Sequence, residues 1–205
     1  MRLNLMIASQ ARRIGILGTG NIGTGLGDAW RAAGHDVLTG GRRGPVSLAD
    51  AGKHGEVVLL AVPASAAVEV LVHVPAGATV IDCTNEVTPG FGVGHPYARI
   101  VAARPDLAVV KGFNLCHDSV WRLPSRVFGG RALSVPLCGP ASAVAVVRPL
   151  VTDLGCTPVD GGGPERAALL EATAAFAIGL WFGGADAQAV LQPTRTDDGV
   201  SLMAG

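Results

Sequence analysis

Residues 12–43 read RRIGILGTGNIGTGLGDAWRAAGHDVLTGGRR. A short apolar run, Arg13–Leu17, leads into glycines at 18, 20 and 23, an Ala/Leu/Trp-bearing helical stretch follows to Ala33, and a second β-type run begins at Asp36. The order strand, tight turn, helix, strand is the first βαβ unit of a doubly wound α/β fold. The turn itself is G-x-G-x-x-G at the mouth of a helix, which gives the glycines separate tasks. Gly18 permits the tight turn, Gly20 lets a pyrophosphate approach the backbone, and Gly23 allows the helix to pack close to its strand. The first free N–H groups of the helix then face the anion. A chain with 29 glycines also produces ordinary glycine-rich turns; the strand before and the helix after this one favour the nucleotide reading.

Outward from this unit, β-type runs alternate with Ala/Leu-rich stretches almost to the end of the chain. The spacing predicts strands at 13–17, 36–39, 57–62, 79–83, 108–113, 134–138 and 157–160. Helices are predicted near 23–33, 65–73, 96–104, 141–154 and 165–182. This is a Rossmann-type, doubly wound, mostly parallel sheet with a small C-terminal strand/helix extension. Only GPVSLADAGKHG separates Arg43 from Glu56, where about 30 residues of helix, strand and helix would be usual. Ser47 and Asp50 are spaced as a capping pair for one short helix. The usual third strand is therefore expected to be missing, leaving the second on the sheet edge. The division expected is a nucleotide-binding domain over 1–160, a helical extension over 161–192 that shapes an acceptor pocket or a dimer contact, and a flexible tail over 193–205.

Sixteen basic and sixteen acidic residues balance, so no global field is available to hold nucleic acid or an anionic membrane. The four cysteines, Cys83, Cys116, Cys138 and Cys156, lack metal-ligand spacing, and no metal site is expected. The opening MRLNLMIASQARR lacks a signal-peptide core and reads as a loose leader. No uninterrupted apolar run reaches the roughly 18 residues a membrane span needs. A cytoplasmic protein is the expectation.

The end of the second strand decides between dinucleotides. An NAD site places Asp or Glu about 20 residues past the glycines, whereas this chain reads LTGGRR there. A carboxylate would repel a 2′-phosphate, while Arg42 and Arg43 offer planar, permanently charged donors that suit one. NADP(H) is favoured over the alternative that both arginines merely decorate a solvated loop. Asp36, at the start of that strand, is badly placed to hold a ribose.

The ordered set VVLLAVPASA, VIDCTNEV, VVKGFNLC and PLCGPASAVAVVRPLVTDLGCTPVDGGGPERAALLE, after the opening fingerprint, resembles the coenzyme F420-dependent NADP oxidoreductase family. The ferric-reductase domains of the STEAP proteins are similar. The resemblance runs from Ile14 to about Glu171. It implies hydride transfer between NADP(H) and a deazaflavin, coenzyme F420, or a flavin. By matching position it implies that Thr19, Gly20, Asn21 and Ile22 hold the pyrophosphate and Arg42 the 2′-phosphate. Val62 and Pro63 would border the adenosine and ribose. Gly112, Phe113 and Asn114 would lie beside the nicotinamide, with Asn85 pointing there. The chain departs from the family in Gly41, where serine is usual and a hydroxyl donor is lost, in the absent third strand, and in KGFN for the more frequent KAFN.

Hydride transfer to a flavin-like ring needs stacking more than a protein acid. A carbonyl or imine acceptor would need a proton donor, for which His117, oriented by Asp118, is the candidate; a helix cap is the alternative. Two further readings stand beside the first: an NADPH-dependent reductase of a small carbonyl or imine, and a non-catalytic NADP(H)-binding sensor. The other histidines read as structural or solvated. Phe176, Trp181 and Phe182 in the last apolar helix suggest core packing or a homodimer contact.

Overall fold

The computed structural model describes residues 10–185. The tail from Pro193 and most of the leader lie outside the described residues. Seven strands form one sheet: β1 Arg13–Leu17, β2 Asp36–Gly40, β3 Val57–Leu60, β4 Thr79–Asp82, β5 Ala108–Lys111, β6 Ser134–Cys138 and β7 Thr157–Gly162. Their spatial order is β7-β6-β5-β4-β3-β1-β2. The five strands from β2 to β5 are parallel; β6 meets β5 antiparallel at Cys138 and Lys111, and β7 runs parallel to β6. The sheet is thus mostly parallel, as its alternation with helices requires.

Among the described residues the α-helices are α1 Asn21–Ala32, α2 Leu48–His54, α3 Ala67–Val70, α4 Pro96–Ala103, α5 Ala141–Thr152 and α6 Ala167–Phe182. Helix α3 is a single turn between the 3₁₀ turns Ala64–Ala66 and Leu71–His73, where the sequence predicts a continuous helix over 65–73. Valines at 68, 70, 72 and 74 carry a strand-like alternation that opposes regular helix. Short hairpins pair Val87–Thr88 with Gly92–Val93 and Val127–Phe128 with Arg131–Ala132; the sequence reading has neither.

Between β2 and β3 the chain makes only α2, opened by Ser47, whose Oγ accepts from the Asp50 N–H at 3.0 Å. No third strand intervenes, and β2 is an edge of the sheet. Asp36 N–H bonds to Arg12 and the Gly40 carbonyl to Gly18, so even-numbered residues of β2 face β1 and the Val37 carbonyl faces outward. Arg31, from the last turn of α1, donates to that carbonyl through Nε and Nη2 at 3.3 and 3.2 Å, and to Thr39 Oγ1 at 2.9 Å. Its guanidinium takes the place of a neighbouring strand and blunts an otherwise open edge.

Successive strand residues point to opposite faces and build two cores. On one side Ile14, Ile16, Val57, Leu59 and Val110 pack with Trp30 of α1 and Val147 and Leu150 of α5. On the other, Leu17, Val58, Leu60, Val80 and Val109 pack with Leu71, Tyr97, Ile100 and Leu170. Trp30 Nε1 donates to the Leu150 carbonyl at 2.9 Å, tying α1 to α5. No helix among the described residues is long and apolar enough to cross a membrane.

Candidate functional site

The glycine turn sits at the C-terminal ends of β1 and β3, the face on which open α/β sheets bind ligands. Gly18 has φ 127°, a left-handed value that favours glycine, and a Cβ there would strike the Ala61 carbonyl. A Cβ on Gly23 would strike the Gly18 carbonyl, so this glycine lets α1 start directly against the turn. Gly20 is different: a Cβ there would meet nothing within 4 Å. It stands as the N-cap of α1 without a side-chain cap, and the first turn of α1 carries no acidic residue. The open space and the uncapped N–H groups together form a cradle for an anion.

From this turn a cleft of about 370 Å³ runs along the sheet edge. Gly20, Asn21 and Ile22 line it after β1, Ala61–Ala64 after β3 and Cys83–Asn85 after β4, and Asp118 also belongs to its lining. Val62, Pro63 and Asn85 thus share one wall system with the glycine turn. Among the described residues no cluster of His, Cys, Asp or Glu has metal-binding geometry.

The Gly18 N–H donates to the Gly40 carbonyl at 2.8 Å, joining the turn to the end of β2. The next loop closes with Gly41 N–H on the Val46 carbonyl at 3.2 Å. Arg42 and Arg43 project from it, exposed and without an ion pair to any described residue. The Asp36 carboxylate lies at the far end of β2, 3.4 Å from His54 Nε2.

Gly41 is explained by its neighbour rather than by a missing hydroxyl. A Cβ at 41 would sit 2.8 Å from Thr19 Cγ2 and 3.1 Å from its Oγ1, so the threonine already fills the space a serine would use. Restoring serine by Gly41→Ser forces Thr19 to turn off its rotamer at about 1 kcal/mol. The substitution is therefore expected not to tighten NADPH binding in a fluorescence titration; a gain beyond about threefold would contradict the steric account.

The KGFN segment divides. Gly112 packs against Leu137, and the Phe113 ring is buried between Trp30 (5.7 Å between centroids) and Trp121 (5.4 Å). Neither lines the cleft, because Phe113 has φ 61°, and this left-handed step lets its ring enter the core while the chain carries on to Asn114. Asn114 is 5% exposed; its Nδ2 donates to Asn85 Oδ1 at 2.9 Å and to the Leu170 carbonyl of α6 at 3.2 Å. Asn85 Nδ2 returns a bond to the Asn114 carbonyl at 2.7 Å. This fixes both amide orientations and leaves Asn114 Oδ1 buried with no partner among the described residues.

His117 is exposed and caps the 3₁₀ turn Asp118–Arg122 by accepting from the Ser119 N–H at 3.3 Å. Its Nδ1 also lies 2.7 Å from Ser119 Oγ and 3.1 Å from Asp118 Oδ1, and its ring meets Trp181 edge-on at 4.6 Å. Asp118, which the sequence reading places behind His117, is the member of the pair that lines the cleft.

Sequence reasoning misses Cys83 and Thr84 in the far wall. Burial, reinforced by the neighbouring Asp82, pushes the Cys83 thiol up to about 12, and its Sγ donates to the Leu60 carbonyl at 3.1 Å. Burial likewise raises the Cys116 thiol to about 12. Neither is a thiolate nucleophile near neutral pH. The sequence reading also overlooks the charges of VID, VVK and the apolar α6, Asp82, Lys111 and Glu171, although a lone charge inside an apolar run is the available signal.

The segment 13–51 matches the model of the family described as NADP oxidoreductase, coenzyme F420-dependent. A solved structure from Arthrobacter sp. FB24, described as an F420-dependent NADP-reductase, is 25% identical, with 85% of this chain and 96% of that one covered and a TM-score of 0.74. A hypothetical protein from Sinorhizobium meliloti is 26% identical over 81% of this chain and 92% of its own, with a TM-score of 0.69. An imine reductase from Aspergillus terreus shares the fold at 17% identity and a TM-score of 0.63, with 89% of this chain and 71% of that one covered. No curated protein matches. These likenesses support the family read from the sequence and, with it, an NADP(H)-linked oxidoreductase.

Proposed function

We propose, from its likeness to the coenzyme F420-dependent NADP oxidoreductases, that the chain passes hydride between NADP(H) and a deazaflavin or flavin acceptor. The observation that carries this reading is the cleft lined by an uncapped helix N-terminus, Asn85 and Asp118, with the loop that bears Arg42 packed through Gly41 against Thr19 of the glycine turn. The residues fit the cofactor. The open cradle at Gly20 suits a pyrophosphate, Thr19, Asn21, Ile22 and Gly23 surround it, and Arg42 with Arg43 meets a 2′-phosphate that no carboxylate opposes. Val62 and Pro63 flank the sugar side. When bound, NADPH supplies the hydride.

The chain's own residues then position and shield. Asn85 is held in the cleft wall by its paired bonds with Asn114, and Asp118 adds a carboxylate to the same lining. The exposed indole of Trp181 and the imidazole of His117 form an aromatic rim next to it, a surface suited to a planar ring. In this reading residues up to 160 bind the nucleotide and the extension beginning at 161 shapes the acceptor side. Phe176 and Phe182 of α6 are 54% and 78% exposed, and a second copy of the chain is the covering we assign to this end of the helix; light scattering giving only monomer at assay concentration would remove it.

Reduction of a small carbonyl or imine is the second reading, favoured by the contact of His117 Nδ1 with Asp118, which lines the cleft. One assay separates the readings: NADPH absorbance is followed with F420, with FMN, and with a panel of carbonyls and imines. Oxidation with F420 or FMN is the expected outcome. Turnover confined to carbonyls or imines selects the second reading, and tight NADPH binding without turnover by any acceptor leaves the sensor.

A further inference from the structure

Lys111 closes β5 and is fully buried, in a strand whose other residues are apolar. Its ammonium donates to Asp82 Oδ2 at 2.9 Å, lies 3.1 Å from Glu171 Oε1, and also donates to the Thr84 carbonyl. Three donors thus meet three acceptors. Glu171 is 2% exposed; its Oε1 also accepts from the Tyr97 N–H at 2.9 Å, and its Oε2 lies 3.5 Å from His95 Nδ1. Asp82 Oδ1 accepts from both the N–H and the hydroxyl of Thr84, at 2.8 and 2.6 Å.

Such a cluster is a poor device for stability alone, since apolar residues of similar volume do as well or better in a core. Its location points to another task. Asp82 immediately precedes the cleft wall Cys83–Asn85. Lys111 stands three residues before Asn114. Glu171 follows Leu170, whose carbonyl anchors the Asn114 amide. The cluster therefore joins β4, β5 and α6 at the three points from which the Asn85–Asn114 amide pair is suspended.

We propose that Lys111 and Glu171 are positioning residues for hydride transfer: their ion cluster with Asp82 clamps α6 onto the sheet and so fixes the amide pair at the reacting end of the cleft. The inference rests on the oxidoreductase reading above. It acts at the far end of the cleft, away from the glycine turn and Arg42, so loss of the clamp changes the rate more than the binding of the cofactor.

Glu171→Ala leaves the Lys111–Asp82 pair charge-balanced, and Glu171→Gln keeps an acceptor for Lys111 and Tyr97. In Glu171→Ala the NADPH Kd is expected to stay within about threefold of the parent, while kcat with the working acceptor falls by about tenfold or more. The fluorescence anisotropy of bound NADPH falls with it, and Glu171→Gln restores both. A Glu171→Ala protein that melts lower but keeps kcat and anisotropy would overturn the clamp. Should Glu171→Ala fail to fold, Lys111→Arg is read by the same measurements. It keeps the charge but replaces the three-way ammonium with a planar fork, so it is expected to lower kcat and hold Kd; an unchanged kcat overturns the proposal. If none of the acceptors is reduced by NADPH in the presence of the parent, the oxidoreductase reading fails, and the anisotropy comparison alone still decides the clamp.

Discussion

Arg42→Ala is expected to weaken NADPH binding roughly ten- to hundredfold and to leave NADH binding within about threefold. A charge-assisted hydrogen bond to a phosphate contributes about 1.5–3 kcal/mol, and each 1.4 kcal/mol is about a factor of ten. Arg42 can act at full strength because its loop is bolted to the glycine turn through Gly18 N–H and Gly40, and no described residue competes for its charge. Arg43 remains beside it, so the double substitution should cost more than the single one. Binding titrations of both nucleotides provide the check. Unchanged discrimination between NADPH and NADH in the single variant would show that the arginine pair only decorates the loop.

The same loop shows what a sequence can and cannot display. The strand limits of β1 and β6 coincide with those the apolar runs predict, and the missing third strand follows from a residue count that leaves space for one helix. The glycine turn is equally legible, because its steric demands fall on Gly18 and Gly23 within one short stretch and so leave a contiguous motif. What Gly41 does is not legible. The reading of a lost hydroxyl compares residues at one position, whereas the constraint comes from Thr19, which reaches the same space from another strand end.

Two parts of the site stay hidden for the same reason. Lys111 and Asp82 are 29 residues apart, and their meeting depends on β4 and β5 being neighbours with Asp82 in register with Lys111. Glu171 comes to them from a helix whose apolar composition draws attention to its surface aromatics instead. The KGFN motif misleads in a more local way: its four residues look like one contact surface, but the left-handed backbone at Phe113 sends that ring into the core and leaves Asn114 to reach the cleft only through Asn85. A motif marks a region of chain. The backbone angle decides which of its side chains face the ligand.

Gly20→Val is expected to lower NADPH affinity by more than about 100-fold while shifting the melting temperature by no more than about 2 °C. The two halves have separate physical grounds. Gly20 has φ −75° and ψ −178°, extended backbone that valine adopts readily, and a Cβ there meets nothing within 4 Å. The fold therefore has no reason to object. The space the valine methyls would take is the cradle in front of the uncapped α1 N-terminus. An anion displaced from it loses two or more charge-assisted bonds of about 1.5–3 kcal/mol each, together with about 0.3–1 kcal/mol of helix-dipole stabilisation. Gly18 supplies the contrast, because Gly18→Val would place a Cβ against the Ala61 carbonyl on a left-handed backbone and is expected to damage the fold itself. Calorimetric binding and thermal melts on the two variants thus separate the glycine that makes the turn from the glycine that leaves space for the ligand. If Gly20→Val bound NADPH as the parent does, the pyrophosphate would have to lie elsewhere, and the site drawn along this cleft would have to move with it.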